Sequence, residues 1–140
     1  MPQVAARINQ EQERWLKDYF RTKSAGAEFI LPWAVDTFFR AINTIKHKFN
    51  AAELKTIIEA HRGKKLLPEH MRVTYLTLRI NDACEVNGIH EKFGVNKAAL
   101  ENKLKAMDDT SATALMVWAS AFWVSRQCSA ENLEEYIASY

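Results

Sequence analysis

Apolar residues recur along this chain at three- and four-residue intervals, the repeat of α-helices that each bury one face. Trp15, Leu16, Tyr19 and Phe20 form the first stripe, behind a capping-box pattern at Asn9 and Gln12. This helix is expected to end before Gly26. Pro32 suits a first helical position, and Val35, Phe38, Ile42, Ile45 and Phe49 follow with the 3-4-3-4 spacing of a core helix. Asn50 with Glu53 is a second capping box, opening a helix whose inner face carries Leu54, Ile57, Ile58 and His61. Gly63 is placed to end it in a left-handed conformation.

Pro68 is expected to open the next helix, spanning 68–87. Its middle, Val73 to Ile80, alternates apolar and polar residues as a strand does. The chain offers no second such run to pair with it, and a lone strand strands its own amides and carbonyls, so a helix is predicted. Asn96 caps a helix with Leu100, Leu104 and Met107 inside. Asp108 to Ser111 supply caps for a helix over 111–127, in which eleven of the thirteen residues 112–124 are apolar. A helix apolar on nearly every side belongs at the centre of a bundle. Ser129 opens a last short helix that turns Leu133, Tyr136, Ile137 and Tyr140 inward. The expected fold is one all-α domain over 1–140, a compact bundle of six to seven helices around the apolar helix 111–127.

Composition agrees with a packed core. Of 140 residues 48% are hydrophobic, with only four Gly and three Pro, which excludes a disordered or low-complexity chain. The start of the chain runs into charged sequence without a signal-peptide h-region, so a cytoplasmic setting is expected. The longest apolar stretch, 112–124, falls short of the ~20 residues a membrane span needs. Cys84 and Cys128 lie in apolar helical patterns and are read as reduced, partly or wholly buried thiols.

Catalytic and metal patterns fail on spacing. His90-Glu91 begins like a zincin motif, but Gly94 stands where the second His is required. His47, His61, His70 and His90 show no i, i+4 pair, and His61, at a helix end, reads as a partly charged imidazole that complements the dipole. Phe49 to Leu67 has the cadence of an EF-hand, yet its loop, His61 to Leu67, holds no carboxylate. No glycines lie close enough to cradle a phosphate. Arg79, Asp82 and Glu85 read as a solvated ion-pair face, and Asp36 with Arg40 as helix support. No cofactor and no metal are expected, and the chain is read as non-enzymatic.

Three features stand above this background. Arg62, Lys64 and Lys65 put three positive charges at a helix end, a candidate contact for an anion or an acidic partner. The run Val86 to Leu100 fits a helix-turn-helix, with Ile89, Phe93, Val95 and Leu100 packing and Gly94 turning. Asn96, Lys97, Asn102 and Lys105 would then face nucleic acid. Gly88, His90 and Lys103 depart from that pattern. Among the fifteen aromatic residues, Trp15 and Trp33 are the candidate exposed anchors.

Charge sharpens this reading. The formal net charge is +2, yet residues 106–140 carry one basic residue, Arg126, against five acidic ones. Helix N-termini account for Asp108, Asp109 and Glu131. The leading expectation is a cytoplasmic interaction module that binds a protein partner, or a second copy of itself, through a charged helical surface, with no membrane involved. The alternative is a helix-turn-helix DNA-binding protein using the helix 96–107. A small-molecule hydrolase or transferase comes third.

Overall fold

The computed structural model describes residues 10–20, 22–124 and 132–138, and of the side chains of Leu16, Tyr19, Lys23 and Pro68 nothing is stated. The fold is all-α. In chain order the helices are α1 (Gln10–Phe20), α2 (Lys23–Lys46), α3 (Ala51–Ala60), α4 (Val73–Asn87), α5 (Ile89–Lys92), α6 (Lys97–Lys105), α7 (Asp109–Val124) and α8 (Leu133–Ala138). The chain divides into two units, Met1–Phe39 and Arg40–Tyr140, with the boundary inside α2. Among the described residues no helix is long and apolar enough to cross a membrane.

In the first unit α1 stops at Phe20, short of Gly26 as expected, while Asn9 lies outside the described residues. The expected start of the second helix at Pro32 is corrected. It begins at Lys23, and Pro32 lies inside it. The Thr22 hydroxyl oxygen accepts the Ala25 amide at 3.1 Å and the Thr22 carbonyl accepts the Gly26 amide at 3.2 Å, which nucleates the helix one turn after α1. Pro32 removes one amide from the ladder, at a turn where Glu28 is exposed and solvent can serve the freed carbonyl. Phe20 bridges the two helices, 5.8 Å from the Trp15 ring and 5.5 Å from Phe29.

The 3-4-3-4 stripe splits at the unit boundary. Ile42, Ile45 and Phe49 are buried in the second unit, whereas Val35 is 48% exposed, and Phe49 lies beyond the helix end at Lys46.

The second unit is built from well-capped short helices. Asn50 and Glu53 form the expected capping box, the Asn50 side chain accepting the Glu53 amide at 2.8 Å and Glu53 accepting the Asn50 amide at 2.9 Å. α3 packs against α4, α5, α7 and α8; α4 packs against α3, α5, α6 and α7. Val73 to Ile80 is helical, as predicted, but Pro68 opens only a 3₁₀ turn, Pro68–His70, and α4 starts at Val73. Its first amide is capped from outside: Val73 N–H donates to the Asp109 carboxylate at 2.8 Å. Asp109 therefore caps a neighbour as well as opening α7, whose own cap is Asp108, accepting the Ser111 amide at 2.6 Å. That amide and the Ser111 side chain hold the exposed Asp108 carboxyl below the usual carboxylate range.

Gly88, at φ +60°, closes α4 and opens α5 in one left-handed residue, so the interruption seen in the sequence is a helix boundary. α7 buries Ala112, Leu115, Met116, Trp118, Ala119 and Phe122, as its apolar run implies. Its expected last residues, 125–127, together with Cys128, Ser129 and Tyr140, lie outside the described residues. Cys84 is buried, and burial pushes its thiol pKa up. Trp123 donates its indole N–H to the Ile58 carbonyl at 2.6 Å, and Tyr136 of α8 donates its hydroxyl to the Trp118 carbonyl at 2.6 Å.

Candidate functional site

The basic loop follows directly from how α3 ends. His61 is the C-cap, its amide donating to the Ile58 carbonyl, and Gly63 at φ +65° turns the chain outward. His61 itself does not join the loop. It is buried, with Nδ1 2.7 Å from the Ile57 carbonyl, and burial lowers its pKa to about 4 despite that hydrogen bond. The expectation of a partly charged imidazole serving the helix dipole is thereby corrected. Desolvation outweighs the dipole, and the Arg79 charge lowers the pKa further.

Arg62, Lys64 and Lys65 all remain exposed. They are not equivalent. The Arg62 guanidinium lies 3.5 Å from the Glu59 carboxylate and 4.7 Å from the centre of the Trp123 ring. Lys65 contributes backbone, its carbonyl accepting from Arg79 Nη2 at 3.3 Å.

Arg79 is the group that sequence reasoning misplaced. The expected solvated pairing with Asp82 gives way to a side chain only 8% exposed. Nη2 also donates to the Tyr75 hydroxyl oxygen at 2.6 Å, and the guanidinium sits 4.7 Å from the Tyr75 ring centre. Tyr75 in turn stacks on His70 at 4.0 Å. None of these partners is a carboxylate, and Nη1 has no hydrogen-bond partner. The i, i+4 spacing of Tyr75 and Arg79 was the available signal, since an aromatic face one turn away can draw a guanidinium inward.

A cleft of about 840 Å³ lies beside Arg79, between the end of α3 with its loop and the outer face of α4. Leu78 and Val86 of α4 and Ile89 of α5 give it apolar walls. A smaller cavity of about 330 Å³ is lined by Phe93, Phe122 and Trp123, and the Glu59–Arg62 pair borders both spaces.

The residues expected to face nucleic acid are divided in their roles. Asn96 caps α6, its side-chain oxygen accepting the Ala99 amide at 3.0 Å. Lys97 lies 3.6 Å from Glu85 and 4.0 Å from Glu101. Asn102 and Lys105 are exposed. Leu100 and Leu104 are wholly buried, so α6 offers only its outer face, and α5 before it is a single turn. Gly94, expected at the turn, is left-handed at φ +69°.

Trp15 and Trp33 are both exposed, at 48% and 68%. They are not alone. Phe29, Leu31, Val35 and Phe39 are exposed on the same α1–α2 unit. The overlooked signal was the run Phe29 to Phe39, apolar on every side of a helix and therefore in need of more than one wall. Among the described residues, no three His, Cys, Asp or Glu side chains converge as a metal site. Comparison with protein-family models, with curated proteins and with solved structures found no match to this chain.

Proposed function

We propose that this chain is a non-enzymatic interaction module, working in the cytoplasm, that binds another protein chain through the α1–α2 unit. One observation carries the reading: Phe29, Leu31, Trp33, Val35 and Phe39 are exposed within eleven residues of one helix. Exposed apolar groups in such density mark interaction surfaces, and Trp is the side chain most often found at their energetic centre. At 100° per residue, Phe29 and Trp33 share one side of α2, and Leu31, Val35 and Phe39 share the opposite side. A partner must therefore supply two walls. A second copy of the chain does so with its own α1 and α2, in a two-fold pairing. Charged residues elsewhere, such as Lys64 and Lys65, would select among encounters and set their salt dependence.

The test is sedimentation velocity across micromolar to sub-millimolar concentrations. The wild-type chain is expected to associate as concentration rises. A Phe29→Ser, Trp33→Ser, Val35→Ser variant should stay monomeric with unchanged helical circular dichroism. Identical sedimentation of the two, at every concentration, would overturn the proposal. Salt-sensitive binding to duplex DNA that is lost in Lys105→Ala would move the assignment to the outer face of α6.

A further inference from the structure

The cleft beside Arg79 combines two features that seldom occur together without a ligand. The first is a buried positive charge that no carboxylate neutralises. Arg79 is over nine-tenths buried, its hydrogen bonds go to the Tyr75 hydroxyl and the Lys65 carbonyl, and Nη1 has no acceptor. A guanidinium withdrawn from water ordinarily takes a carboxylate or phosphate in exchange, because neutral acceptors compensate its lost hydration poorly. The second is an open apolar wall: Leu78 and Val86 line the same space while remaining exposed. The volume, about 840 Å³, lies in the range of small-molecule sites.

The charges around the cleft narrow the ligand's chemistry. Arg79, Arg62 and Lys64 line it with Glu59 and Asp82, leaving one positive charge in excess. Arg62 is already matched by Glu59 at 3.5 Å. Asp82 stands one turn along α4 from Arg79 but is exposed. A single negative charge completes the balance, and a planar carboxylate matches the planar donor fork of arginine. We propose that the cleft between α3 and α4 binds a monoanionic carboxylic acid with an apolar body, the carboxylate answering Arg79 and the body lying on Leu78, Val86 and Ile89. This site is independent of the α1–α2 surface.

The probe is 2-naphthoate, with 2-naphthamide as its neutral counterpart, titrated into the full chain and followed by amide ¹H–¹⁵N shifts. Naphthoate should give saturable shifts at Ala60, Leu78, Val86 and Ile89, and naphthamide should bind at least about tenfold more weakly. Arg79→Gln should erase the difference between the two probes. Asp82→Asn, at an exposed position, should tighten naphthoate binding about threefold or more by removing a like charge. Val86→Trp should fill the wall and abolish the shifts, which keeps the test decisive if Arg79→Gln does not fold. Absence of saturable shifts in the wild type, equal binding of acid and amide, or shifts that survive in Val86→Trp would each overturn the proposal. Tighter binding of phenyl phosphate than of naphthoate would overturn the carboxylate assignment.

Discussion

Glu53 and Lys103 lie fifty residues apart in sequence and meet at 2.6 Å, Nζ against Oε1. The same carboxylate oxygen accepts the Asn50 amide, so one side chain both closes the N-terminus of α3 and holds α6 beside it. Glu53 is 3% exposed, while the lysine side chain is 40% exposed, so the acid bears nearly all the burial. Removing Lys103 leaves a buried carboxylate short of its counter-charge. Lys103→Met should destabilise the fold by about 1–3 kcal/mol in urea unfolding, against about 0.5 kcal/mol or less for Lys105→Met on the same helix.

His61 makes stability depend on pH. Its pKa is held at about 4 in the fold by burial, against an ordinary value of 6.5. Between those values the unfolded chain binds a proton that the folded chain refuses. Stability is therefore complete above about pH 6.5 and declines as pH falls toward 4, by about 3 kcal/mol in total from this group. Urea midpoints measured from pH 7 down to 4.5 should show the decline. His61→Gln should flatten it, whatever that variant's own stability at neutral pH.

Asn96 separates folding from recognition on α6. Its side chain is committed to the Ala99 amide, so Asn96→Ala should cost about 1 kcal/mol of stability. Asn102→Ala, at an exposed position of the same helix, should stay within about 0.5 kcal/mol of wild type. Thermal or urea unfolding of the two variants checks the difference.

Gly88 provides a conformational rather than a steric test. A Cβ there would meet only Glu91 Oε2 at 3.8 Å, an ordinary contact, but the backbone sits at φ +60°. Gly88→Ala should cost about 1–2 kcal/mol, and Gly88→Asn less, because asparagine tolerates the left-handed region better. An equal cost for the two would show that space, not conformation, governs the corner.

What the sequence disclosed was governed by local chemistry. The Asn50–Glu53 box, the Asn96 cap, the left-handed residue at Gly63 and the turn at Gly94 each depend on residues within four positions of one another, and all stand as expected. The apolar run of α7 and the helical state of Val73 to Ile80 were readable for a related reason, since side-chain periodicity and the need to pair backbone groups act along one segment. What escaped depended on the surroundings of a residue. Pro32 resembles a helix start, but the Thr22 cap begins α2 nine residues earlier. Arg79 looks solvated in sequence and is buried because Tyr75 and the Lys65 carbonyl receive it, while His61, placed on the inner face as expected, loses its expected partial charge to that burial. The stripe through Val35 follows the same spacing as Ile42 and Ile45, and periodicity does not reveal which turns of a helix meet a wall. The α3–α4 cleft was invisible for that reason too, being formed by elements separated by a loop.

The position of α8 also shapes how the fold can form. Two of its anchors reach far back along the chain: the Ile137 carbonyl accepts from Lys46 Nζ and Glu134 meets Lys55 Nζ at 2.7 Å; nearer in sequence, Tyr136 stacks on Trp118 with ring centres 5.2 Å apart. Docking α8 onto α2 and α3 closes loops of some eighty to ninety residues, longer than the 50 that separate Glu53 from Lys103 and the 65 that separate Ile58 from Trp123. During synthesis these contacts arise only after the ribosome has delivered everything they rest upon. The topology thus ranks the contacts by the loop each closes: helical corners within a few residues, α3 against α6 and α7 across 50 and 65, and α8 on α3 and α2 across 79 and 91.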